Sequence, residues 1–74
     1  MVNYPVIDIA RTGANIHTMI HDSRYTVTDV ADYLGSNTSL VYRYMRGEVL
    51  PSTDRLLALS VLLNVTVNDI LVVA

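Results

Sequence analysis

The stretch VTDVADYLGSNTSLVYRYMR, residues 27–46, places a small residue, Ala31, four positions before a glycine, Gly35. Apolar residues stand at Val30, Leu34, Val41 and Tyr44. Two short helices that cross at a steep angle need this pattern. Ala31 leaves room for the second helix to approach the first. Gly35 accepts the positive φ that a tight turn demands and a side chain resists. The four apolar residues then face inward from both helices. The spacing predicts a helix-turn-helix, a unit whose second helix commonly lies in the major groove of DNA.

Capping residues extend this reading in both directions. Asp8 caps a first helix running to about Asp22, with Ile9, Gly13, Ile16 and Ile20 on one face; Thr12 is a rival cap one turn later. Thr26 caps the second helix, and Asp29 completes a capping-box-like TVTD. Asn37 or Ser36 caps the third helix, which ends at Arg46 before Gly47, a residue suited to a left-handed C-terminal position. Ser52 follows Pro51 and caps a fourth helix, and Thr66 caps a fifth with Asp69 three residues on. The expected helices are 8–22, 26–34, 37–46, 52–64 and 66–72, with no sheet. MVNYPVI, residues 1–7, reads as an extended arm because Pro5 pushes Tyr4 from helical angles. The helix-turn-helix domain is expected over 8–74. The expected core is Ile16, Met19, Val30, Ala31, Leu34, Val41, Tyr44, Leu56, Leu59, Leu63, Val65 and Ile70, with Ile20 against Met45.

Composition narrows the function classes. The chain has 74 residues, 51% of them hydrophobic, which suits one small domain with a compact core. It has no cysteine, so disulfides and cysteine-based metal sites are excluded. The start carries no basic residue before Arg11 and no secretory pattern, and the expected compartment is the cytoplasm. LLALSVLLNV, interrupted by Ser60 and Asn64, falls far short of the ~20 apolar residues that span a bilayer, so no membrane partner is expected. His17 and His21 lie four apart but lack the glutamate of a zinc hydrolase motif, and a solvated pair is expected rather than a metal site. No nucleophile triad, phosphate loop or enclosed carboxylate pair is present. We expect neither an enzyme nor a cofactor nor a small-molecule substrate.

The charge is less accommodating. The net charge is −2 and there is no lysine, whereas DNA-binding domains usually carry a basic excess. Residues 24–47 hold Arg24, Arg43 and Arg46 against Asp29 and Asp32, a local +1, and the rest of the chain carries −3.

The order TVTDVADYLG, LVYRYMRG and LPSTDRLLALSVLLNVTVNDIL resembles the Cro/C1-type (XRE-family) helix-turn-helix proteins, DNA-binding domains of phage and bacterial repressors. The resemblance covers residues 8–72. It implies a five-helix, lambda-repressor-like, all-α fold and double-stranded DNA as partner. Three positions depart from the family pattern. Val27 stands where many members hold a glutamine, and Ser36 where an apolar residue is usual. Ile20 and Met45 replace an arginine–glutamate pair together, and the joint swap avoids leaving one charge alone in a half-buried site.

In the family frame the base-reading positions fall on Thr38, Ser39 and Arg43, with Tyr42 beside them. With Val41 and Tyr44 turned to the core, Thr38, Ser39, Tyr42 and Arg46 must lie on other faces of that helix. Arg43 suits guanine, whose O6 and N7 match a guanidinium fork. Phosphate contacts are expected from Arg24 and Arg46, and from Thr26, Asn37, Ser52 and Thr53 at helix starts, whose free N–H groups attract anions. Glu48 is expected to repel a nearby phosphate. The competing reading of Arg43 and Arg46 is an ordinary solvated helix face.

The fourth helix is too apolar for one solvated face. Leu57, Ala58, Val61 and Leu62 extend round it from the core face, and Val72, Val73 and Ala74 continue this character. Such a patch suggests a homodimer contact through Val61, Val72 and Val73; the alternative is that the N-terminal arm folds back over it. Two functions therefore stay open. One is a sequence-specific transcription regulator, of repressor type. The other is a protein-interaction module on the same fold, such as an antitoxin-like subunit with weak DNA binding or none.

Overall fold

A computed structural model describes residues 4–74. Every helix begins at a side chain that accepts a backbone N–H. Asp8 caps α1 (Ile9–Asp22), Thr26 caps α2 (Val27–Leu34) and Asn37 caps α3 (Thr38–Met45). Ser52 caps α4 (Thr53–Leu63) and Thr66 caps α5 (Val67–Ile70). Thr26–Asp29 and Thr66–Asp69 are full capping boxes. In the second box, hydrogen bonds from Thr66 hold the Asp69 carboxyl below its ordinary pKa.

Three of the helices end alike. After α2, Ser36 N–H donates to Ala31 C=O (2.9 Å) and Gly35 N–H to Asp32 C=O (3.1 Å). After α3, Glu48 N–H donates to Arg43 C=O (3.0 Å) and Gly47 N–H to Tyr44 C=O (3.1 Å). After α4, Val65 N–H donates to Ser60 C=O (2.9 Å) and Asn64 N–H to Val61 C=O (3.3 Å). Each is a Schellman motif, with left-handed residues at Gly35 (φ 66°), Gly47 (φ 72°) and Asn64 (φ 56°). The chain reverses sharply at all three, and this packs the short helices against one another.

The core joins Ile16 and Ile20 of α1, Val30 and Ala31 of α2, Val41 and Tyr44 of α3, Leu56 and Leu59 of α4, and Ile70 of α5. Met19, Leu34, Leu63 and Val65 are half-buried against it. Ile20 and Met45 line one shallow groove, as their joint replacement of a charged pair suggests. Ala31 is 2% exposed between α2 and α3. Ala31→Leu is expected to force these helices apart and cost about 1–3 kcal/mol. A variant melting no lower than wild type would show that the contact is not close-packed.

The structure corrects three expectations. Ile9 is exposed, and the first turn of α1 meets the turn after α3 through backbone: a Cβ built on Gly47 would lie 2.7 Å from Ala10 Cα and 3.1 Å from Ile9 O. Thr12 caps nothing. It is buried, and its Oγ1 accepts the Val72 N–H at 3.0 Å. Helix α5 stops at Ile70 rather than residue 72, because Leu71 turns extended and the tail runs back beside the arm. Asp8 N–H donates to Val72 C=O and Ala74 N–H to Val6 C=O, both at 2.8 Å, around a single antiparallel bridge between Ile7 and Val73. Asn15 Nδ2 donates to Asp69 C=O (2.7 Å) and Ile70 C=O (3.1 Å), taking up carbonyls that α5 leaves free. Among the described residues no helix is long and apolar enough to cross a membrane.

Candidate nucleic-acid interface

Helix α3 is held from three sides. The Gly35 turn sets its angle to α2. Val41 (1% exposed) and Tyr44 (2%) anchor its inner face. Gly13 lets α1 approach its last turn so closely that a Cβ there would lie 2.5 Å from Tyr44 O and 2.6 Å from Gly47 N. The outer face is thereby fixed. Ser39, Tyr42 and Arg43 are exposed on it and Thr38 is half-buried at its start. The four residues expected to read bases thus lie on one short helix, three of them open to solvent.

The helix starts retain hydrogen-bonding capacity outward. Thr26 and Ser52 use an oxygen lone pair to accept the Asp29 and Arg55 N–H groups, and Asn37 Oδ1 accepts the Leu40 N–H. Their own donors, two hydroxyls and an amide NH2, are not consumed by capping and can point to an anion. Thr53 is exposed beside Ser52. Thr26 and Tyr42 share an open groove of about 300 Å³ with His17, His21, Tyr25 and Val27. Val27, in place of a long amide, leaves that groove apolar at the first residue of α2. His21 Nδ1 lies 3.5 Å from Asp22 Oδ1, both side chains exposed.

The arginines do not form one group. Arg24 lies over the Tyr25 ring, 5.3 Å from its centroid, and its Nη2 donates to the Tyr25 hydroxyl (3.3 Å). It lines a groove with Asp29, Asp32, Tyr33 and Leu62, between α2 and α4. Arg43 and Arg46 are joined by a residue that sequence reasoning placed only as a repulsive charge. The Glu48 carboxylate accepts Arg46 Nε in a short hydrogen bond, and its Oε1 lies 3.8 Å from Arg43 Nε. The bond from Arg46 holds the Glu48 carboxyl below its ordinary pKa. The Schellman turn at Gly47 makes this possible, because it returns the chain beside the turn that carries Arg43.

The predicted apolar patch is exposed only in part. Leu57 is 59% exposed and Val61 65% exposed, whereas Leu62 packs against the core. Val73 is exposed, but Val72 is half-buried with both backbone polar groups engaged in the terminal pairing. Val6, Ile7 and Asp8 pair with the tail while Leu57 and Val61 stay exposed; residues 1–3 of the arm lie outside the described residues.

The order of helices, the turn at Gly35 and the exposed face of α3 are those of a DNA-binding helix-turn-helix. No curated protein and no solved structure matches the chain. A family model, the Cro/C1-type HTH DNA-binding domain, matches residues 15–74, which spans the second half of α1 through the tail. The chain belongs to the Cro/C1-type helix-turn-helix DNA-binding domain family.

Proposed function

We propose that the protein is a sequence-specific transcription regulator of repressor type, acting in the cytoplasm as a homodimer on double-stranded DNA. The observation that carries this reading is the solvent-facing row of α3. Its inner residues are buried and its end is locked, so Thr38, Ser39, Tyr42 and Arg43 are presented on a rigid element, as base readout requires. Arg43 reads a guanine. Arg46, Arg24 and the hydroxyl or amide groups of Thr26, Asn37, Ser52 and Thr53 hold phosphates. The functional unit is residues 8–74, with 1–7 as an arm.

The test is fluorescence anisotropy with duplexes selected by the protein from its own upstream DNA, against a scrambled control, across a salt series. Preference for the selected site supports the regulator. Equal and negligible binding to both, at low salt, favours the interaction module. The net charge of −2, the absence of lysine and Val27 at the start of α2 are what speak for that second reading.

The dimer face is Val61 with neighbouring Leu57 on α4, joined by Val72 and Val73 of the tail. A two-fold pair of such domains sets its recognition helices one turn of DNA apart, ~34 Å, and reads a palindrome. Val61→Glu is expected to shift a micromolar monomer–dimer equilibrium to monomer in sedimentation, with the melting temperature of the monomer unchanged. A wild type that stays monomeric at high concentration removes this contact.

A further inference from the structure

We propose that Glu48 is a positioning residue for sequence readout: it pairs with Arg43 and Arg46 at their inner nitrogens and leaves their outer nitrogens to the DNA. The inference rests on the reading of α3 as a base-contacting helix.

Both contacts run through Nε. Arg46 Nε donates to one carboxylate oxygen and Arg43 Nε lies 3.8 Å from the other. A guanidinium held at Nε keeps both terminal NH2 groups free, and those two groups can match O6 and N7 of guanine end-on. Glu48 accepts a hydrogen bond from Arg46 and stands at ion-pair distance from Arg43. Its own backbone N–H is bonded to Arg43 C=O at 3.0 Å, so the residue is tied to the turn whose side chain it orients. The three side chains remain about half exposed, at 52% for Arg43, 58% for Arg46 and 47% for Glu48. Such open pairs add little to folding stability. Their effect is to narrow the positions the arginines sample before DNA arrives.

Two consequences follow with opposite signs. On any duplex the Glu48 charge faces phosphates and weakens binding. On the right sequence it also keeps Arg43 aimed at its base, which a scrambled sequence does not reward. Removing the charge while keeping the shape should therefore raise general affinity and lower discrimination.

Glu48→Gln separates these terms. It keeps the backbone bond and is expected to melt as wild type does. Binding to a scrambled duplex should strengthen about twofold to fivefold at low salt. Preference for the selected site over its variant at the base pair read by Arg43 should fall about threefold to tenfold. In an Arg43→Ala background, Glu48→Gln should leave preference at that base pair unchanged, since the partner it orients is gone. If wild type discriminates and Glu48→Gln strengthens all sequences alike, Glu48 is only a repulsive charge and the inference fails while the DNA reading stands. If neither protein prefers any duplex, both fail together. If wild type binds weakly without preference and Glu48→Gln discriminates better, the sign is reversed and the positioning role is overturned.

Discussion

Gly47→Ala is expected to lower the melting temperature more than any other single glycine substitution in this chain. Two costs coincide there. The residue has φ 72°, which an alanine enters at about 1–2 kcal/mol. A Cβ would also lie 2.7 Å from Ala10 Cα, a backbone atom that cannot rotate away, and overpacking of this kind costs about 1–3 kcal/mol. At ~0.05–0.15 kcal/mol per residue a chain of 74 residues is held together by roughly 4–11 kcal/mol, of which this sum is a large part. Each lost kcal/mol moves a domain of this size by about 4–8 °C. Two neighbours act as controls. Gly35 has φ 66° but open space around its Cβ, so Gly35→Ala meets the backbone cost alone. Gly13 lies inside α1, where alanine is intrinsically the better helix former by about 1 kcal/mol. Its Cβ, however, would lie 2.5 Å from Tyr44 O. Gly13→Ala should therefore destabilise despite its propensity. Circular dichroism melts decide the matter: a Gly13→Ala protein more stable than wild type means that α1 and α3 do not meet backbone to backbone.

The second large effect is on DNA. Arg43→Ala should lose about 1–3 kcal/mol on the best site and relax preference at one base pair, while binding to scrambled DNA changes little. Arg46→Ala should weaken all sequences alike and reduce the slope of log K against log salt by about one. The different placements motivate the difference. Arg43 sits within the last turn of α3, on the same face as Ser39 and Tyr42, whereas Arg46 follows the helix as its C-cap. Salt titrations of both variants on a selected and a scrambled duplex distinguish the roles. Identical losses for the two arginines would leave Arg43 no role in base reading.

What was legible in the sequence was local. Asp8, Thr26, Asn37, Ser52 and Thr66 cap their helices by bonds that reach only three residues, so residue type and spacing reveal them. Gly35 and Gly47 announce left-handed turns for the same reason. The buried positions Ile16, Val30, Ala31, Val41, Tyr44, Leu56, Leu59 and Ile70 follow from periodicity. What was hidden depends on partners distant in sequence. Thr12 looked like a cap, because nothing near it reveals the Val72 N–H it accepts. Gly13 looked like one more member of a face, because its constraint comes from Tyr44 and Gly47. The early end of α5 reflects the arm beside its tail, not the residues of VNDILVV. On α3, the exposure of Ser39 and Tyr42 was readable from its inward residues Val41 and Tyr44, and Arg43 was singled out by the family resemblance, but the pairing of Glu48 with two arginines depends on side-chain geometry that spacing does not carry.

The pairing of arm and tail bears on time as well as on shape. Thr12 and Val72 are separated by 60 positions, whereas the caps and Schellman bonds span three to five. Closing a long loop carries an entropy that rises only slowly with length, by about 0.6 kcal/mol per doubling, but it must be met before the contact returns anything. Local turns form first and the ends meet last. Contacts absent from the folding transition state act on the unfolding rate alone. The few bonds between residues 6–12 and 72–74 are thus expected to act as a latch on unfolding: Thr12→Val, which removes the Val72 partner, should speed unfolding in stopped-flow chevrons and leave the folding limb in place.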